Sequence, residues 1–491
     1  MKIRLSGTMN TGGGAALFIL LCHVGLAAFF YSTALYYSFK PYYWAAGLAL
    51  AASIPYAWAA ISGRFIPYEG HYIFLASLLL GFTAYLFLPL EKIDMNPASL
   101  NYAMKLACSG ALVFLLGYYT IFGKAAAQAL PLRRFVIADP LLSKIPLKLY
   151  FIGWFLRMIP RLSEFGISIL EKIGIFGLPL KLLNKMQGWE ITNMLTSYGI
   201  CAALMIDTYL CLSVHGPGSR ASRTIALARL SIFLLIEIFY SFLGGMAGNV
   251  IRPLIFILLA YMKAKRRIPL VPVVLIAVFF IFYVVPFIKV FREQYWYGAD
   301  AKTSINYAQE LLSDNNKRLT KRDETLKRLS NPLEMTVICY EIRKEGREIS
   351  SYHRDLSGYF SRFVPRFLWP NKLSIDYNAI GREIGLLHAD DYSTSIGLTF
   401  IGGLIMDNGT FGVITGMFLL GILISMAWQW LVIRSDENMF AFTVYSILIY
   451  RFVFPEDFYG ILHSSAAFII YAYFLSAFVN RGYYKRVNPA T

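Results

Sequence analysis

Long, nearly charge-free apolar runs recur through this chain and constrain its fold more than any other feature. A hydrocarbon core of about 30 Å takes roughly 20 helical residues to cross. Segments such as Phe74 to Leu90 are apolar almost without interruption. A spanning segment must satisfy its own backbone hydrogen bonds, so the expected fold is all-α, a polytopic bundle of transmembrane helices. The alternation that a membrane β-barrel needs is missing. The balance of 57% hydrophobic against 15% charged residues leaves too little polar surface for a soluble domain of 491 residues.

The pattern predicts eleven spans: 14–38, 41–61, 71–90, 102–123, 191–214, 224–242, 250–262, 269–290, 409–433, 439–454 and 461–479. The first begins after Lys2 and Arg4 like a signal peptide, but no small-residue cleavage site follows, so it reads as a retained helix. Charge sets the expected orientation. The chain carries 46 Lys and Arg against 29 Asp and Glu, and residues 291–395 hold 16 and 15 of them. The basic excess therefore lies outside that segment: in 124–190, in the Lys263 to Arg267 turn and in the tail from Arg481. This is the distribution of cytoplasmic segments and not of a nucleic-acid surface. Span parity then puts 291–395 outside the cytoplasm and asks for one more crossing between 125 and 190. Leu147 to Pro160 is the candidate, with an interfacial amphipathic helix as the rival.

The chain thus divides into an N-terminal bundle (1–290) that includes the basic segment 124–190, a large periplasmic loop (291–395), and C-terminal helices with a basic tail (396–491). The loop is too long for a connector and reads as helical. Thr303 or Ser304 caps one helix through Leu312, a charged helix follows over 317–329, and Asn331-Pro332 breaks it. Leu333, Val337, Tyr340 and Ile342 then carry helical spacing. Of the five cysteines only Cys339 lies in the loop, so no disulfide closes within it.

No Walker sequence, HExxH or paired CxxC is present, and six scattered histidines give no metal spacing, so neither cofactor nor metal is expected. The informative stretch runs from Ser361 to Tyr392. It sets Arg362, Arg366, Lys372 and Arg382 among aromatics that include Trp369. Guanidinium forks match phosphate oxygens, and aromatic rings cover the apolar faces of sugars. Snorkelling of the same arginines to lipid headgroups is the plainer alternative. Carboxylates stand nearby at Glu383, Asp390, Asp391, Glu456 and Asp457, with His463, and any of them suits general-base work. Within the membrane Arg229 and Glu237 lie two turns apart on one predicted helix, and Arg252 sits near the external end of the next.

Taken with the architecture, Arg362 to Lys372 (RFVPRFLWPNK) and the glycine-rich Ser393 to Leu420, a helix pair re-entering the membrane around Asn408-Gly409 and Gly412, resemble the Wzy-type polymerases of bacterial surface polysaccharides. The resemblance implies a glycosyltransferase of the bacterial inner membrane. It would move a growing glycan from undecaprenyl diphosphate to a new undecaprenyl-diphosphate-linked oligosaccharide at the periplasmic face. Membrane lipids, a chain-length regulator and a flippase are the implied partners. Arg366, Lys372 and Arg382, then Arg362, Arg252 and Trp369, would bind the diphosphate and glycan. Glu383, Asp391, Glu456 and His463 are the candidates for the catalytic base. An O-antigen ligase shares the architecture and donor, a transporter or flippase of lipid-linked oligosaccharide is the reading from another class, and a structural scaffold is a further one.

Overall fold

The computed structural model describes residues 12–88, 91, 93, 95–131, 135–137, 139–155, 189–213, 220–243, 247–296, 301–313, 331–349, 377–386, 397–436, 438–453, 465–466, 468–477 and 479–480. Every regular element among them is a helix. Six are long and apolar enough to cross a bilayer: Gly14–Tyr37, Lys40–Ser62, Gly70–Phe87, Pro97–Tyr119, Arg223–Ser241 and Phe400–Ile433. Shorter apolar helices cover Ile145–Phe155, Ser197–Leu212, Leu270–Phe279, Met439–Phe452 and Phe468–Ala477. The charged helix expected over 317–329 lies outside the described residues.

Two compact units interleave along the chain. The first takes 1–128, 236–345 and 399–428, and the second 129–235, 346–398 and 429–491. In the first, helices α1 (Gly12–Tyr37) and α2 (Lys40–Ser62) pair through a turn in which Ser38 takes a positive φ of 51°. Pro41 opens α2 and Gly63, in the left-handed region at φ 67°, closes it. Helix α3 (Gly70–Thr83), continued by a 3-10 turn to Phe87, and α4 (Pro97–Tyr119) follow. Hydropathy alone starts this last span at Tyr102. The helix begins five residues earlier because the Asn96 side chain accepts from the backbone N–H of Ala98 at 2.9 Å and of Ser99 at 3.4 Å, with Pro97 in the first turn. At one end of α1 and α2, Ala16, Tyr56, Ala59, Phe65 and Tyr72 form a buried cluster joined by Ile268.

Further along, α5 (Ala247–Lys265) ends in the basic turn, its last turn carrying Lys263 and Lys265 as the helix dipole favours. The chain from Leu270 to Trp296 runs on as one helix through a π turn at Phe280–Val284. The π turn ends two residues before Pro286, which has no N–H for the carbonyl one turn back; such a local adjustment lets an apolar helix keep a proline. Helices α6 (Ala301–Ser313) and α7 (Asn331–Lys344) match the helical reading of the loop. Leu333, Val337 and Ile342 are buried, and α7 packs on α3, α4 and the helical segment Phe400–Trp428, here α8.

The seam of α4 with α8 is set by glycines. An added Cβ at Gly117 would stand 2.1 Å from the Phe418 carbonyl oxygen, and one at Gly421 2.2 Å from that of Phe114. Small residues that let backbones meet are how helices associate where lipid removes the hydrophobic drive. Outward faces fit that solvent. No residue of Leu270–Phe279 is buried, and Val271, Leu275 and Phe279 are each more than half exposed. Such a surface fits a membrane protein.

In the second unit Ile200 to Thr208 are all buried, as are Phe440 to Ile449 of Met439–Val453, and these two helices pack on each other. A helix buried all round is a bundle centre. Asn438 caps the latter through the N–H of Phe440 and Ala441, while its Nδ2 donates to the Ile137 carbonyl at 2.9 Å. Tyr150, on the Ile145–Phe155 helix proposed as the extra crossing, stacks on Phe233 at 3.6 Å.

Candidate functional site

The segment Phe400–Trp428 is two helices, not one. Gly409, at φ 61° and ψ −142°, separates them, a conformation that only glycine adopts without strain. The chain then doubles back. A Cβ at Gly412 would meet the Leu404 carbonyl oxygen at 2.4 Å, and one at Gly416 the Leu404 Cδ1 at 2.4 Å. In a straight helix residues 404 and 416 stand about 18 Å apart. The structure therefore has a helical hairpin, with a first arm of 400–408 and a second arm running through Trp428. The span expected over 409–433 and the helix pair expected at Asn408-Gly409 both fall here.

Arg343 closes the hairpin tip. It comes from the last turn of α7, and its Nη1 donates to the carbonyls of Met406 at 3.0 Å and Asp407 at 3.4 Å. These are terminal carbonyls of the first arm, which have no helical partner of their own. A Cβ at position 409 would lie 3.0 Å from Arg343 Nε, a second reason for glycine there. The residue as a whole is exposed, although Nε, Cζ and Nη2 lie 3.0–3.5 Å from where a Cβ of residue 409 would stand. Beside it the Tyr102 hydroxyl is hydrogen bonded to Thr410 Oγ1 at 2.5 Å, and the Tyr102 ring stacks on Tyr340 at 3.9 Å. Cys339, behind this pair, is buried against Gly402, and burial pushes its thiol up to about 12; it is no nucleophile. The assembled groups are a fixed cation, a tyrosine stack and a hydroxyl pair, suited to an anionic group carried next to a flat polar face.

Of the residues singled out from sequence, Arg362, Arg366, Trp369, Lys372, Asp391, Glu456 and His463 lie outside the described residues, as do Asp390 and Asp457. Arg382 and Glu383 end a short helix, Tyr377–Glu383, in the second unit; Arg382 is half-buried and Glu383 exposed. Arg252 is half-buried in α5, toward the end away from the basic turn. Arg229 pairs with Asp207, a residue the sequence reading passed over. Its Nη2 donates to Asp207 Oδ1 at 2.5 Å and its Nη1 to the Ser143 carbonyl at 3.1 Å. Arg343 was missed too. Its signal was available: two basic residues before Gly346 mark a helix end, and Asn408-Gly409 marks a break. Nothing in the sequence joins positions sixty-odd residues apart.

An all-helical chain with six helices long and apolar enough to cross a bilayer, and a folded-back hairpin, fits the class of polytopic helical membrane proteins. Within that class, the sequence profile of a domain of unknown function, DUF8712, matches residues 218–480, over half of the chain, and the protein belongs to that family. The matched region contains α7, Arg343 and the hairpin. No curated protein and no solved structure matches the chain.

Proposed function

We propose that the protein is a polymerase of bacterial surface polysaccharide, a glycosyltransferase acting on undecaprenyl-diphosphate-linked oligosaccharides at the periplasmic face of the inner membrane. The observation that carries this reading is the hairpin tip, where Arg343 is fixed by two backbone carbonyls beside the Tyr102–Tyr340 stack and remains exposed as a residue. In the reaction the acceptor hydroxyl oxygen bonds to the anomeric carbon of the growing chain. The bond from that carbon to the diphosphate oxygen breaks, and the lipid diphosphate leaves with the electron pair. A fixed cation needs no reorganisation to stabilise that leaving charge. Arg343 is the cation of the hairpin tip; Arg366, Lys372 and Arg382, with Arg362 and Arg252, remain the diphosphate-binding residues expected from the sequence resemblance. Tyr102, Tyr340 and Trp369 supply sugar-facing rings, and the base that takes the hydroxyl proton comes from Glu383, Asp391, Glu456 and His463. A chain-length regulator and a flippase are the fitting partners.

One observation favours a second reading. Interrupted helices at mid-membrane depth are how many transporters bind substrate, so the break at Gly409 also suits movement of a lipid-linked glycan. Purified protein in nanodiscs, given the host's lipid-diphosphate-linked repeat units without nucleotide and with chelator, separates the two. A ladder of longer lipid-linked glycans supports polymerisation. Repeat units that stay one unit long, but change leaflet in proteoliposomes, support transport and overturn the first reading.

A further inference from the structure

The first unit holds a second group of reactive side chains that the proposed transfer does not use. It lies at the other end of α4 from the hairpin tip: Tyr102 meets Thr410, whereas Tyr118, about 24 Å along the same helix axis, meets Glu69. Glu69 directly precedes α3, and its Oε1 accepts a hydrogen bond from the Tyr118 hydroxyl. His71 Nδ1 lies 3.5 Å from that same oxygen. The imidazole is 2% exposed, and neither ring nitrogen makes a hydrogen bond among the described residues. Tyrosine rings enclose it, Tyr72 at 4.0 Å, Tyr118 at 4.4 Å and Tyr119 at 5.8 Å between centroids.

A buried imidazole with two unsatisfied nitrogens is costly, and the polar group that the described residues bring to its Nδ1 is the Glu69 carboxylate at 3.5 Å. Proton exchange between the two relieves it. With Glu69 protonated, the carboxyl O–H can donate to Nδ1 of neutral His71. With Glu69 ionised, its oxygens accept from Tyr118 and from an Nδ1–H of His71. The Glu69 side chain is 19% exposed against 2% for that of His71, so Glu69 is the nearer of the two to the surface. We propose that Glu69, His71 and Tyr118 form a proton-binding site, with Glu69 as the group that exchanges its proton with water and His71 as the buried partner.

The surroundings set its range. From α2 it is faced by Tyr56, itself stacked on His23 of α1, and from α4 by Tyr118 and Tyr119. From the end of α5 come Lys263 and Arg266, whose charges lie over the Tyr68 ring, with Arg266 donating to the Tyr68 hydroxyl. From α8 Trp428 lies against the Tyr68 ring and does not titrate, and α7 meets α3 about three turns on, at Gly81. Burial pushes the Glu69 carboxyl up to about 7, and the Tyr118 hydrogen bond opposes that rise. The site therefore changes charge in the neutral range, at the end of the unit that carries the basic turn.

Infrared difference spectra of the full-length protein in detergent, recorded between about pH 9 and 5, read this directly. The expected result is a protonated-carboxyl carbonyl band that grows as pH falls, is absent in Glu69→Gln, and shifts in His71→Asn. In Tyr118→Phe the band's midpoint should move to higher pH, because the hydroxyl that favours the carboxylate is gone. A wild-type protein without the band, or a band that survives in Glu69→Gln, overturns the proposal. If Glu69→Gln loses its helical circular dichroism, wild type against Tyr118→Phe decides, and identical titrations of the two overturn it.

Discussion

The glycine seam between α4 and α8 makes a quantitative prediction. In Gly421→Ala the new Cβ would sit 2.2 Å from the Phe114 carbonyl oxygen and 2.7 Å from the Tyr118 nitrogen. Both are backbone atoms, so no side-chain rotation can make room, and the helices must separate by about 1 Å to restore van der Waals distance. Overpacking of this kind costs about 1–3 kcal/mol, with rigid backbone at the upper end, against a gain of up to about 1 kcal/mol from replacing a helical glycine. A net loss of about 2 kcal/mol follows for Gly421→Ala, and the same for Gly117→Ala at 2.1 Å from the Phe418 oxygen. The double variant should cost less than twice either one, since the first substitution already parts the helices. Gly403→Ala is the control with the opposite sign. It has nothing within 4 Å of its added Cβ, and should be neutral or slightly stabilising. SDS titration in mixed micelles, followed by circular dichroism, measures all four. If Gly421→Ala is as stable as wild type, or Gly403→Ala loses as much, the close crossing is refuted.

Three further predictions concern other positions. Asp207→Asn removes a fully buried counter-charge from the partly buried Arg229 and should cost about 3 kcal/mol in the same titration, more than Asp207→Asn with Arg229→Met together. Asn96→Ala removes the cap of α4 and should cost about 1 kcal/mol, with Asn96→Ser restoring most of it. Burial raises the folded-state carboxyl of Glu69 from its ordinary 4.5 to about 7, so the native protein holds that proton more tightly than the unfolded chain. Stability from this group is then complete below about pH 4.5 and is lost as pH rises through about 7. Glu69→Gln should lack that loss and exceed wild type by at most roughly 3 kcal/mol at pH 8.

The all-helical architecture with its long apolar helices was legible because it rests on runs of neighbours. Apolar stretches gave the helices nearly where they stand, Asn331-Pro332 marked the start of α7, and Asn408-Gly409 marked the hairpin turn. Boundaries slipped where a cap outweighed hydropathy, as at Asn96, or where a π turn carried a helix past its apolar part to Trp296. Pairings were not legible. Arg229 offered Glu237 as a neighbour on its own helix, yet its carboxylate comes from Asp207 on another. Arg343 with Met406, and Glu69 with Tyr118, join residues whose approach is decided by helix packing. Periodicity assigns a face and not a partner.

The central claim is that the hairpin tip holds the leaving diphosphate of a glycan transfer. Its most direct test is the rate of chain extension on lipid-diphosphate-linked repeat units by Arg343→Gln, in protein whose circular dichroism matches wild type. A kcat lowered by about 100-fold or more is expected, as for loss of one fixed donor to a developing charge, with Arg343→Lys intermediate. Extension by Arg343→Gln at the wild-type rate would contradict it.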